Sequence, residues 1–141
     1  MPFVVGYRGG YRIQQSRRAR LARAAQAIMD AAPGDRHSLR KLAELLGVSS
    51  YHLAHVFRAE VGTSVHQYLL QLRLALARER IARGVTSLSA LALDLGFSTH
   101  SHFTSAFRRR YGITPREARL VLGRVENTHR DGAQEGLPPA A

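Results

Sequence analysis

Apolar residues recur at helical spacing along most of the chain, and no stretch alternates as a strand would over a useful length. From Ser16, Leu21, Ala25, Ile28 and Met29 share one face, with Ser16 as a cap and Pro33-Gly34 as the stop. Six further segments follow, and a glycine closes each. They are Ser38–Leu46 before Gly47, Ser49–Val61 before Gly62, Ser64–Arg83 before Gly84, Ser87–Leu95 before Gly96, Thr99–Tyr111 before Gly112, and Thr114–Leu122 before Gly123. Glycine after a periodic run ends a helix because it accepts positive φ. Thr114-Pro115-Arg116-Glu117 supplies an N-cap, a proline at the first helical position and the glutamate of a capping box. The pattern predicts an all-α chain of seven helices.

Ser64–Arg83 differs from the rest. Val65, Tyr68, Leu69, Leu72 and Leu76 fall on one face, and Leu70, Leu74, Ala77 and Ile81 on another. Stepping about 100° per residue sets the two stripes about 150° apart. His66, Arg73 and Arg80 lie in one seam between them, and Gln67, Gln71 and Arg78 in the other. Polar seams argue against a fully buried helix, so each stripe predicts its own small core. Ser64 and Gln67 form an S-x-x-Q capping box. The segment reads as a rod about 30 Å long joining two compact units.

The segments flanking the rod repeat each other. Leu39, Leu42, Ala43 and Gly47 correspond to Leu88, Leu91, Ala92 and Gly96 at an offset of 49. Leu53, Phe57, Arg58, Gly62 and Ser64 correspond to Phe103, Phe107, Arg108, Gly112 and Thr114 at an offset of 50. The extra residue falls in the turn, where an insertion is cheapest. Each copy reads as helix, short turn, helix. The alanine of Leu-x-x-Leu-Ala marks a close crossing. The second helix buries Leu53, Val56, Phe57 and Val61 in one copy and Phe103, Ala106, Phe107 and Tyr111 in the other.

Five units follow in chain order. Residues 1–15 form a flexible tail in which Gly6, Gly9 and Gly10 break any helix. Residues 16–63 and 84–123 form the two helix-turn-helix subdomains, and 64–83 links them. Residues 124–141, rich in Gly, Pro and polar residues without period, are expected to be disordered.

Composition narrows the function. Lys and Arg number 21 against 10 Asp and Glu, and the resulting +11 charge fits a polyanionic partner. No cysteine is present, so there is no disulfide framework or thiolate metal site. His52 and His55, and His100 and His102, are close pairs, but neither has a further ligand, so no metal and no cofactor are expected. No apolar run reaches membrane-span length, the N-terminus lacks a signal peptide's apolar region, and a cytoplasmic location follows. The motifs of phosphate loops, serine hydrolases and zinc proteases are missing, so the chain does not read as an enzyme.

LALDLGFSTHSHFTSAFRRRYGITPREAR, in the second copy, resembles the signature of the AraC/XylS family of bacterial transcription regulators. The resemblance covers about Ser16 to Leu122. His102 departs from it, standing where an aromatic residue is usual before Phe103. It implies seven helices in two homeodomain-like, three-helical helix-turn-helix subdomains joined by a long linker helix. It also implies sequence-specific binding of double-stranded DNA as a transcriptional regulator, with two recognition helices in adjacent major grooves. Full-length members usually carry a separate sensing or dimerisation domain, which residues 1–15 cannot form. The Gly/Arg-rich start favours the DNA-binding part of a longer protein over a naturally short member.

Opposite the buried stripe, the first recognition helix presents Tyr51, Ala54, His55 and Arg58. The second presents Ser101, Thr104, Ser105 and Arg108, with His100 at its tip. The resemblance puts base contacts on Tyr51, Ala54, His55, His100, Ser101 and Ser105. Phosphate contacts are expected from Arg58, Arg73, Thr104, Arg108, Arg109 and Arg110. Tyr51 offers a ring to thymine methyls, and His55 donates or accepts at a base edge, whereas Ser101 and Ser105 are short. The first copy should therefore read more sequence than the second. The competing reading is a helix-turn-helix module that contacts a protein, RNA polymerase or another regulator. A monomer is expected in this form, and a dimer if the chain is part of a longer one.

Overall fold

The structure, a computed structural model, describes residues 3–122, with side chains from Gln15 onward. Helix α1 spans Phe3–Ala31, α2 Leu39–Leu46, α3 Ser50–Val61, α4 Val65–Ala82, α5 Leu88–Asp94 and α6 His100–Tyr111. Residues 115–122 form a last helix, α7, and the described residues contain no strand. No helix among them is long and apolar enough to cross a membrane.

Side-chain caps set the starts. The hydroxyls of Ser38, Ser49, Ser64, Ser87 and Thr99 each accept from the backbone N–H three residues on, at 3.0–3.2 Å. Thr114 and Glu117 form the reciprocal capping box: Glu117 N–H donates to Thr114 Oγ1 at 3.2 Å, and Thr114 N–H to Glu117 Oε2 at 3.3 Å. The two recognition-helix segments end alike. Gly62 and Gly112 adopt φ of 90° and 80°, and their N–H groups donate to the Arg58 and Arg108 carbonyls. A side chain at either position would be strained.

The N-terminus departs from expectation. Helix α1 begins at Phe3, so Ser16 lies within it, and residues 3–15 are helical where a flexible tail is expected. Gly6, Gly9 and Gly10 do not interrupt it. Each glycine costs about 1 kcal/mol relative to alanine but keeps both its backbone donor and its acceptor. A helix already nucleated on a packed segment extends through such residues one hydrogen bond at a time. Met1, Pro2, the Gly123 stop and the expected disorder of 124–141 lie outside the described residues.

The chain divides into two compact units, residues 1–72 and 73–141, so the boundary falls inside α4. In the first unit, Ala22, Ala25 and Met29 of α1 pack with Leu42 and Ala43 of α2, Leu53 and Phe57 of α3, and Val65 and Leu69 of α4. Tyr68 and Leu72 pack against this cluster half-buried, so it takes up one of the two stripes except for Leu76, which belongs to the second unit. The Tyr68 ring meets Phe57 edge-on at 5.6 Å, and its hydroxyl donates to Asp30 Oδ1 at 2.7 Å. Burial, then the hydrogen bond to Asp30 and its charge, push the Tyr68 phenol up to about 12.

In the second unit, Leu74, Ala77 and Ile81 of α4 are buried, as are Leu91, Ala92, Leu95, Phe97, Phe103, Ala106, Phe107 and Ala118. Phe97, Phe103, Phe107 and Tyr111 form a run of rings with successive centroids 5.0, 5.8 and 4.8 Å apart. His102, in the position where an aromatic is usual, stands edge-on to Phe97 at 5.5 Å, so an imidazole supplies that contact. Burying each large ring stabilises a unit by about 1.5–3 kcal/mol.

Candidate nucleic-acid interface

Within the first unit, α3 turns Leu53, Val56 and Phe57 into the core and leaves its other side outward. Tyr51 sits in the first turn and is 80% exposed. Its ring lies nearly parallel to that of His55, one helical turn later, at 6.0 Å and 14°. Arg58 continues this exposed line, and Ala54 beside it is half-buried. The four residues expected on one face are therefore brought together on it.

The second unit repeats the arrangement with smaller groups. Helix α6 buries Phe103, Ala106 and Phe107. Ser101, Ser105 and Arg108 are exposed, and Thr104 is half-buried. His100, at the helix start, has Nδ1 3.5 Å from Ser89 Oγ and its ring edge-on to Phe103 at 6.3 Å. Nothing aromatic stands on the outer face of α6 where Tyr51 and His55 stack on α3.

The cations expected on phosphate separate into distinct settings. The ion pairs Arg40–Glu44, Arg80–Asp94 and Arg83–Glu79 involve none of Arg58, Arg108 and Arg109, all of which are exposed. Arg110 is exposed too, but nine positions from Ser101 place it about 180° round the helix. Its guanidinium lies 6.0 Å from the Tyr111 ring centroid, which Arg78 approaches at 5.3 Å. Arg73 is half-buried, and its Nη1 donates to the Gly96 carbonyl at 3.3 Å. Burial lowers the Arg73 pKa from its usual value, and the guanidinium ties α4 to the turn after α5.

A cleft borders each exposed face. In the first unit an open cleft of about 450 Å³ is lined by His37, Ser38, Leu39, Ala54, Arg58, Ser64, Val65 and His66. In the second, an open cleft of about 230 Å³ is lined by Leu88, His100, Thr104, Thr114, Pro115 and Arg116. His37, His66 and Arg116 are not among the residues selected from sequence. The signal was available, since the 50-residue offset relates His66 to Arg116, but neither lies on a recognition helix.

The chain is similar in sequence and fold to known helix-turn-helix proteins. A family model for the helix-turn-helix domain matches residues 42–120. The chain is similar to a probable transcriptional regulator, LumQ, of Photobacterium leiognathi, 37% identical over 78 residues, which is 55% of this chain and 32% of LumQ. It is 37% identical over 79 residues to the HTH-type transcriptional regulator ArgR of Pseudomonas aeruginosa, covering 56% of this chain and 24% of that protein. It thus spans a third or less of the length of these curated relatives. Among solved structures, it resembles a transcriptional regulator from Chromobacterium violaceum described as containing an AraC-type DNA-binding domain. The TM-score is 0.67 at 33% identity, over 72% of this chain and 91% of that one.

Proposed function

Because the chain belongs to the AraC/XylS family of helix-turn-helix regulators, we propose that it binds double-stranded DNA sequence-specifically as a transcriptional regulator. The observation that carries the reading is the repeated outward face. Tyr51, His55 and Arg58 on α3 match Ser101, Ser105 and Arg108 on α6 at one offset, on a chain of net charge +11.

The N-terminal halves of α3 and α6 enter major grooves, as recognition helices generally do. Tyr51 and His55 meet base edges in one groove, with Ala54 leaving room beside them. His100, Ser101 and Ser105 meet bases in the next, with less discrimination because hydroxyls accept either partner type. Arg58, Arg108, Arg109 and Thr104 hold phosphates and set register. Arg73 acts indirectly, through the turn it ties down. Tyr111 holds Arg110 on the far side of α6 from Ser101, so its contribution to phosphate binding is the smallest.

This function requires no cofactor and no catalytic step, and it belongs in the cytoplasm. RNA polymerase is a second candidate partner. Selection of bound duplexes from a random pool, followed by salt titration of the winners, tests the reading. An enriched sequence whose affinity falls steeply with salt is the expected result. Failure to bind any duplex at low salt would leave the protein-contact alternative.

A further inference from the structure

We infer that each unit carries a seat for a DNA backbone phosphate beside its recognition helix, with His66 and Arg116 as the two repeat-related cations. His66 makes the first seat respond to pH. The inference rests on the duplex binding proposed above.

The two clefts are one place in the repeat. Ala54 corresponds to Thr104, and His66 to Arg116, each pair at the 50-residue offset. One wall of each cleft is the outward side of a recognition helix, Ala54 and Arg58 in the first unit, His100 and Thr104 in the second. A strand whose groove receives that helix passes the opposite wall. On that wall stand His66 and Arg116, both exposed. Neither side chain belongs to a core, so both are open to an anion at the mouth of the cleft.

The charged or titratable groups lining the first cleft are His37, Arg58 and His66, and no carboxylate lines it. His37 is engaged, its Nε2 lying 2.6 Å from the Ala32 carbonyl. Asp35 and Arg36 before α2, Arg40, Lys41 and Glu44 of α2, and Tyr51, His52, His55 and Glu60 of α3 are exposed nearby without lining the cleft. Imidazole is the side chain whose charge ordinarily changes between about pH 5 and 8. Protonating one beside Arg58 adds a second cation, which an anion from outside the cleft answers. Arg116 is charged throughout this range. Acidification therefore tightens the hold of the first unit through His66, while the charge of its counterpart Arg116 does not change.

The test is duplex affinity of the full chain at fixed ionic strength between about pH 8 and pH 6. Each protein is measured on a selected duplex and on a scrambled one. Wild type gains affinity several-fold on acidification. His66→Gln loses that part of the gain equally on both duplexes, which separates this ring from the other histidines. His66→Arg binds both duplexes more tightly than wild type at pH 8. Arg116→Gln weakens both at every pH and lowers the salt slope by about 1. A wild-type pH profile in His66→Gln overturns the inference, as does an unchanged salt slope in Arg116→Gln. A loss in His66→Gln confined to the selected duplex would also overturn it, by making His66 a base reader. Absence of any duplex binding by wild type would instead remove the DNA-binding reading beneath it.

Discussion

Tyr68 of α4 donates a 2.7 Å hydrogen bond to Asp30 at the end of α1, joining residues 38 positions apart in the first unit. With the phenol pushed up to about 12 from 10.0, the folded form keeps its proton where the unfolded chain has lost it. The contribution is therefore complete below pH 10 and is lost as pH rises through about 12. Tyr68→Phe should remove this alkaline slope and cost about 1 kcal/mol at neutral pH, because solvent screens an exposed bond. Chemical denaturation of both proteins at neutral and alkaline pH measures it. An identical alkaline slope in the variant would rule the bond out as its source.

Positioning and reading should separate cleanly. Arg108→Ala should weaken binding to selected and random duplexes alike, lowering the salt slope by about 1. His55→Ala should change preference at one or two base pairs, by about 1–3 kcal/mol for the preferred base. Competition assays with single-base variants of the selected site check both. Equal losses on all sequences for His55→Ala would refute its reading role.

Arg73 should behave as a structural tie. Arg73→Ala removes the hydrogen bond to the Gly96 carbonyl, at a cost of about 1.5–3 kcal/mol for a bond to a charged group. Thermal unfolding should show the loss in the second unit, with the salt slope of duplex binding unchanged. A lowered slope without loss of stability would make Arg73 a phosphate ligand instead.

Phe57 and Phe107 are at most 1% exposed, one in each unit. Substituting either by alanine should cost about 3–5 kcal/mol. A unit this small has little stability to spare, so each change should loosen its own unit first. Hydrogen exchange resolved by residue reads this directly. Uniform loss of protection in both units would mean that they unfold as one.

The selected DNA site should be asymmetric. The two outward faces differ, Tyr51 and His55 against Ser101 and Ser105, so one chain meets two unlike half-sites. Symmetric dimers need palindromes, whereas a tandem repeat does not. Recovery of a palindrome from a random pool would indicate binding by two chains.

Helix positions, caps and the internal repeat were legible in the sequence because each depends on neighbours within about one turn. Serine and threonine caps, glycines at positive φ and apolar spacing are local choices, and the structure uses them at Ser38, Gly62 and Thr114 as read. The two stripes of α4 were legible for the same reason. The start of α1 was misread because glycine is a weak penalty rather than a barrier, and its effect depends on what the rest of the helix packs against. Three outcomes depended on the fold itself. Arg73 became a tie because α4 passes the Gly96 carbonyl, Arg78 of α4 came over the Tyr111 ring of α6, and His66 came to line a cleft with Arg58. A long cationic side chain takes its partner from whatever surface folding brings near it. Identity and spacing therefore say that such a residue is basic and exposed, and the tertiary structure decides what it holds.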